Sequence, residues 1–293
     1  MLRKSRGGIV MAFHEKPTTY VSQVTLKVSD LSRALKFYQT VIGFKVLTES
    51  ASTIELTADG KTPLVTLIQP DGVTPKNEQT TGMYHFALLL PTKKDLADVI
   101  VHLSRHHIEL GAADHLVSEA IYFSDPDGNE IEMYVDRDPD EWTWNSGQVK
   151  MATDPLDVEA LMDHRVEMSE WQGLPKETIM GHIHLYVGDL NQTKTFYVDG
   201  LGLDIATTFG TRALFLSSGH YHHHVGVNTW KGEGLPAEPE TSTGMFAFTM
   251  VYKDQLTLSA VIERLKNQGA TIEETDQHLY VKDPSGIRIE LTV

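Results

Sequence analysis

Two glutamates two positions apart open the chemical reading of this chain. Glu130-Ile131-Glu132-Met133-Tyr134-Val135 alternates as a strand does, so Glu130 and Glu132 share one face and Ile131 and Met133 the other. The strand follows Asp125-Pro126-Asp127-Gly128, a turn in which Pro presets φ and Gly supplies the left-handed conformation. Before the turn, Ile121-Tyr122-Phe123 is a run of β-formers, and His115 lies seven residues ahead of Tyr122. A carboxylate on an inward strand face is costly unless a cation or strong donors meet it. The chain has 14 histidines to supply such partners and no cysteine. That lack removes disulfides, thiolate metal sites and a cysteine nucleophile together, and it fits a reducing cytoplasm.

The elements that must carry these residues come in repeats. Val24-Thr-Leu-Lys-Val-Ser-Asp30-Leu31 reads as a strand entering a helix capped by Asp30 or Ser29, with Phe37-Tyr38 within it and an end near Gly43. Ile183-His-Leu-Tyr-Val-Gly-Asp189-Leu190, Phe196-Tyr197 and Gly202 repeat that pattern. Gly82-Met-Tyr-His-Phe-Ala matches Gly244-Met-Phe-Ala-Phe-Thr, and Tyr122 to Glu132 matches Tyr280 to Glu290. The offsets are nearly equal (189 − 30 = 159 and 290 − 132 = 158), so the first half is repeated in the second. Each half splits again, giving modules at about 20–75, 80–136, 180–230 and 244–293, each a strand, a helix and about three strands. The expected class is α+β, with four βαβββ modules forming two barrel-like halves. The expected division is a disordered extension over 1–17, a first domain over 18–136, a connector over 137–180 with a helix from Asp157 to Trp171, and a second domain over 181–293. Gly232 to Thr243 reads as a loop.

At 293 residues with 41% hydrophobic content the chain can bury a core, and two domains are the natural expectation. A net charge of −15 argues against nucleic acid and anionic membranes as partners. No apolar run reaches the roughly 18 residues that a membrane span needs.

Four such modules, with Asp-Leu-x4-Phe-Tyr helices and Asp-Pro-x-Gly endings closed by Glu, resemble the vicinal oxygen chelate superfamily, which includes glyoxalases, bleomycin-resistance proteins and extradiol dioxygenases. The resemblance covers 20–293. His115, Tyr122, Asp125-Pro126, Gly128 and Glu132 resemble the extradiol ring-cleaving dioxygenase signature, from which Ala113 departs. The layout is similar to that of bacillar catechol 2,3-dioxygenases.

The resemblance implies that ligands to a metal come from the first and last strands of two paired modules. The first-strand slots hold Gln23, His85, His182 and Ala247; Glu132 and Glu290 fill last-strand slots, and alignment puts His223 in that slot of module three. Pairing modules two and three unites His85, Glu132 and His182 with the His115–Tyr122 signature. Pairing in sequence order would instead give Gln23, His85 and Glu132 in one half and His182, His223 and Glu290 in the other. The first pairing is preferred. Two imidazoles and one carboxylate suit non-haem Fe(II), with Mn(II) also accepted by such a set. The activity implied is dioxygen-dependent cleavage of a catechol or a substituted catechol or hydroquinone. His223 would be the acid–base group, with His224 as the other candidate in its run. Tyr122 would donate to a developing oxyanion, and His115 would hold a substrate oxygen. His220 and His164 read as surface residues, and Trp142, Trp144 and Trp230 as packing rather than a substrate wall, with the mouth of the cavity as the alternative for Trp230. A small aromatic diol and dioxygen are the expected partners, and a homo-oligomer is expected. Competing readings are a glyoxalase-type lyase or isomerase, whose sites use more carboxylate, and a non-catalytic protein binding aromatic drugs.

Overall fold

The computed structural model describes residues 4–5, 8–9, 13–165, 171–275 and 277–293. The expected modules are present, and they assemble into two curled eight-stranded sheets. The first sheet runs through Asp204–Phe209, Ala213–Ser217, Val225–Asn228 and Ile179–Tyr186 of module three. It continues through Gly82–Leu89, Glu130–Asp136, Ser118–Ser124 and Gly111–Asp114 of module two. The second sheet joins modules four and one in the same way, through Gly244–Val251 and Tyr20–Lys27. The architecture is therefore α+β with two half-barrels, and the sheets pair the second module with the third and the first with the fourth. Each repeat-defined half of the sequence contributes one module to each sheet.

Register decides what faces the inside of the first sheet. Its two first strands run antiparallel, with His184 opposite His85 and His182 opposite Ala87. Glu132 lies beside Ala87 on the parallel neighbour and beside Tyr122 on the antiparallel one. Side chains on a strand alternate faces and cross-strand partners share one, so His85, His182, His184, Glu132 and Tyr122 converge. The other face carries Phe86, Leu88, Ile131, Met133, Ile183 and Leu185, all buried in the main apolar core. A register shift at Met180/His182 marks a bulge at Gly181, immediately before one of these histidines.

The helix signals are borne out in detail. Asp30 and Asp189 are N-caps whose carboxylates accept from main-chain N–H groups one turn on. The Phe-Tyr pairs and the Asp-Pro turns prove to be one device: Tyr38 donates to Asp125 at 3.0 Å and Tyr197 to Asp283 at 3.2 Å, all four buried. These bonds tie module one to module two and module three to module four, across the pairing that the sheets impose.

Two segments differ from expectation. The connector helix spans only Val158–Met162, capped by Asp157; of the remainder expected to be helical, 166–170 lie outside the described residues. The extension expected to be disordered is ordered at its end. Phe13 stacks on Trp142 at 5.6 Å, and His14 is within 2.8 Å of the Gly181 carbonyl. Residues 1–3, 6–7 and 10–12 of that extension lie outside the described residues. Among the described residues no helix is long and apolar enough to cross a membrane.

Candidate metal centre

Glu132 stands at the middle of the site. Its Oε2 is 3.0 Å from His85 Nε2 and 3.1 Å from His182 Nε2, and all three side chains are buried. Only the His182 approach has hydrogen-bond geometry; His85 Nε2, though as near, lies off the line of a bond. His85 Nδ1 and His182 Nδ1 are also buried with no hydrogen-bond partner. Ligand-capable atoms of the three residues lie within 4.8 Å of one another. Two imidazole nitrogens crowd one carboxylate oxygen and His85 Nε2 is left without a bond, which a cation between them would resolve.

The protonation states suit that use. Burial alone pushes the Glu132 carboxyl up, but His182 and His85 facing it outweigh this and hold it well below the usual range. Burial pulls His182 down to about 4 against the opposing charge of Glu132. At neutral pH Glu132 is an anionic carboxylate and His182 a neutral imidazole, the forms that bind metal.

The triad opens into a cavity of about 370 Å³. On one side stand His115 and Tyr122, with His115 Nε2 2.6 Å from the Tyr122 hydroxyl. His115 Nδ1 is 2.7 Å from the Ala152 carbonyl, which can only accept, so the ring proton sits on Nδ1 and the Tyr122 hydroxyl donates to Nε2. Burial, reinforced by the charge of Glu132, raises the Tyr122 phenol well above its usual value, so it stays a donor. On the other side His223 packs against His182, ring centroids 4.1 Å apart. Burial, with a crowd of neighbouring imidazoles, lowers His223 well below the usual histidine value. Trp230 lines the cavity, 40% exposed, with its ring against those of Tyr84 and His184.

The register corrects one alignment. The last strand of module three begins at Val225, and the residue beside His184, in the position that Glu132 holds beside Ala87, is Gly226. His223 reaches the cavity from the segment just before that strand. At Gly226 a Cβ would lie 2.9 Å from the His184 ring, so the missing side chain makes room for that ring. His184 is the cavity residue that sequence reasoning missed, although alternation from His182 points to it. It accepts from Asn228 Nδ2 at 3.0 Å through Nε2, which occupies that nitrogen and makes the ring a wall beside the triad.

The histidine run also differs from expectation, in that His222, His223 and His224 are all buried and neither face is solvent. His224 points away from the cavity, its Nε2 2.9 Å from the Phe13 carbonyl. His220 and His164 are exposed. The alternative set of His182, His223 and Glu290 is not brought together. Glu290 lies in the other sheet, accepting from Thr249 at 2.9 Å and 2.7 Å from His278 Nδ1.

Paired βαβββ modules define a protein of the half-barrel class, and the buried His-His-Glu set at the seam of two of them could hold a metal ion. Comparison with known sequences agrees. The sequence model of the Glyoxalase/Bleomycin resistance protein/Dioxygenase superfamily matches residues 20–133 and 179–291, and the chain belongs to that superfamily. It is 43% identical over 94% of its length to the catechol-2,3-dioxygenase of Bacillus subtilis strain 168, covering 98% of that protein. It is 26% identical to the metallothiol transferase FosB of Lysinibacillus sphaericus over 39% of this chain and 81% of that protein. Among solved structures, glyoxalase I from Zea mays matches with a TM-score of 0.57 and 16% identity, covering 93% of this chain and 92% of that one. A Bacillus subtilis structure matches with a TM-score of 0.69 and 13% identity over 95% and 86%.

Proposed function

We propose that this chain is an extradiol ring-cleaving dioxygenase that opens a catechol with dioxygen at a non-haem Fe(II) held by His85, His182 and Glu132. The observation that carries the reading is the buried triad opening on a cavity with His223 on one side and the His115–Tyr122 pair on the other. The near full-length similarity to a Bacillus catechol-2,3-dioxygenase supports it. Fe(II) would supply the open coordination positions and the electron path that let a diol and dioxygen react, and Mn(II) accepts the same donors.

The chain's own residues have separable parts. His223, kept neutral by burial, takes a proton from a catechol hydroxyl and returns one later. Tyr122, kept protonated, would turn its one hydrogen from His115 Nε2 to the oxygen on which negative charge develops. His115 fixes the direction of that phenol and stands within reach of a substrate oxygen. The triad carries one negative charge, so a monoanionic catecholate brings the site with a divalent ion to neutrality.

The cavity wall also restricts the substrate. Met151, Phe209, Phe215 and Trp230 line it, and among the described residues no Lys or Arg does. A carboxylated catechol would bury an unpaired charge there. The reading is therefore a neutral catechol, bare or with an apolar substituent. The single carboxylate in the triad stands against the carboxylate-richer glyoxalase type.

The test is anaerobic loading with Fe(II), then addition of catechol, 3-methylcatechol and a carboxylated catechol in air. Dioxygen uptake matched by a yellow ring-opened product is expected for the neutral diols. No uptake across the panel by iron-loaded protein overturns the reading.

A further inference from the structure

Behind His223, away from the cavity, lies a chain of side chains that the reaction described above does not use. Asp136, the last residue of the strand Glu130–Asp136, has Oδ1 2.8 Å from His222 Nε2. His222 Nδ1 is in turn 2.8 Å from His223 Nδ1. His222 is without exposure, while the Asp136 side chain is 20% exposed. The Tyr221 hydroxyl, bonded to that of Tyr134 at 2.7 Å, also donates to Asp136 and steadies the carboxylate.

For a His222 that carries one ring proton, donor and acceptor counting fixes the rest. A carboxylate has only lone pairs to offer, so the bond to Asp136 requires the hydrogen on His222 Nε2. A neutral His222 then presents a lone pair at Nδ1. Its contact with His223 Nδ1 is a hydrogen bond only if His223 carries its own proton there. The nitrogen of His223 left bare is Nε2, on the opposite edge of the ring. We infer that Asp136 and His222 are positioning residues that set the ring tautomer of His223, so that Nε2 meets a substrate hydroxyl as an acceptor. The arrangement matches in logic the carboxylate that orients the histidine of a serine-protease triad, with one imidazole interposed. The inference rests on His223 being the acid–base group of the proposed reaction.

The test reads the tautomer directly. Metal-free protein labelled with 15N and 13C in its histidine rings is examined by ring nitrogen–carbon correlation NMR, with His223 assigned by its loss in His223→Gln. The expected wild-type result is a proton on His223 Nδ1 and a bare Nε2. Asp136→Ala is expected to populate the other tautomer. After iron loading its kcat should fall at least about tenfold with KM within about threefold, part of the roughly 10²–10⁴-fold that an acid–base group contributes. A wild-type His223 protonated on Nε2 overturns the inference; a doubly protonated His222 donating into His223 would give that spectrum. So does an Asp136→Ala protein with tautomer and kcat both unchanged. If that variant does not fold, the wild-type spectrum alone decides. The spectrum needs no turnover, so a wild-type protein that opens no catechol overturns the function while the tautomer is still read.

Discussion

Gly181 is the position where a single methyl group should do the most damage. Its φ is unremarkable; what it lacks is room. A Cβ built there would lie 2.0 Å from the Tyr134 hydroxyl oxygen and 2.6 Å from Cε1 and Cζ of the same ring. Ordinary carbon contacts are about 3.5–4 Å, so the ring would have to retreat by about 1 Å or more. It has nowhere to go, because Tyr134 is fully buried between Ala87 and Ala120, and its hydroxyl is held at 2.7 Å by Tyr221. Overpacking costs roughly 1–3 kcal/mol, and breaking the Tyr134–Tyr221 bond roughly 0.5–1.5 kcal/mol more. Gly181→Ala should therefore lose about 2–4 kcal/mol in urea unfolding of the metal-free protein. Because Gly181 forms the bulge before His182, its displacement should also weaken metal binding, read by iron titration. Tyr134→Phe removes the oxygen of the worst contact while leaving the ring. In a double-mutant cycle Gly181→Ala/Tyr134→Phe should be more stable than the sum of the single losses by about 1 kcal/mol. A Gly181→Ala protein within about 0.5 kcal/mol of wild type, or strict additivity in the cycle, would refute the steric argument.

Other perturbations have defined outcomes. Glu132→Gln, close in shape but neutral, should lose stoichiometric iron and at least about 10³-fold in ring-opening rate while keeping the far-ultraviolet dichroism of wild type; full iron content would contradict the ligand assignment. Ala87→Thr places a hydroxyl beside Glu132 as Thr249 does beside Glu290, and should cost about 10–100-fold in metal affinity by direct titration. Asp283 is held by burial at about 6 against an ordinary 3.8, so it is harder to ionise folded than unfolded. Its contribution is intact below about pH 4 and is lost as pH rises through 6, a cost of roughly 3 kcal/mol at most. Asp283→Asn keeps an acceptor for the N–H groups of Ser285 and Ile287 and reverses the Tyr197 bond, its amide N–H donating to the phenol oxygen. It should be more stable than wild type above pH 6 and lose that advantage near pH 4 in parallel urea melts; an advantage largest at low pH would reverse the sign argued here.

Much of this site could be read from the chain because strand alternation and module repetition are local properties. Glu132 was visible as a carboxylate on a strand face, and His85 and His182 as occupants of matching positions in two modules. Which modules pair is not local. It followed only from asking which pairing completes a ligand set, and the sheet order confirms that choice. The missed features share a cause. Gly226 acts through an absent side chain, which leaves no chemical signal, and so the slot was given to His223 three positions earlier. His184 was within reach, two residues from His182 on one strand, but a scheme with one ligand per strand had no use for it. The contacts of Phe13 and His14 with Trp142 and Gly181 join residues far apart in sequence, beyond any periodic pattern. The long connector helix was read between Asp157 and Trp171, where the start was correct to one residue and the described helix ends at Met162.

The second sheet shows how little separates a metal centre from a satisfied polar network. Modules one and four have the same strand register: Gln23 opposite Thr249 where His182 meets Ala87, and Glu290 beside Thr249 where Glu132 lies beside Ala87. The carboxylate is retained, but the Thr249 hydroxyl and His278 take its two oxygens, and Gln23 turns to Thr66 at 2.6 Å. In the first sheet Ala87 offers Glu132 no hydroxyl, and two imidazoles approach the same oxygen instead. A glutamate at this strand position is thus a property of the scaffold, shared by both sheets. What sets the first sheet apart is the combination of a methyl group beside that glutamate and histidines at both first-strand positions, a set that could hold a cation.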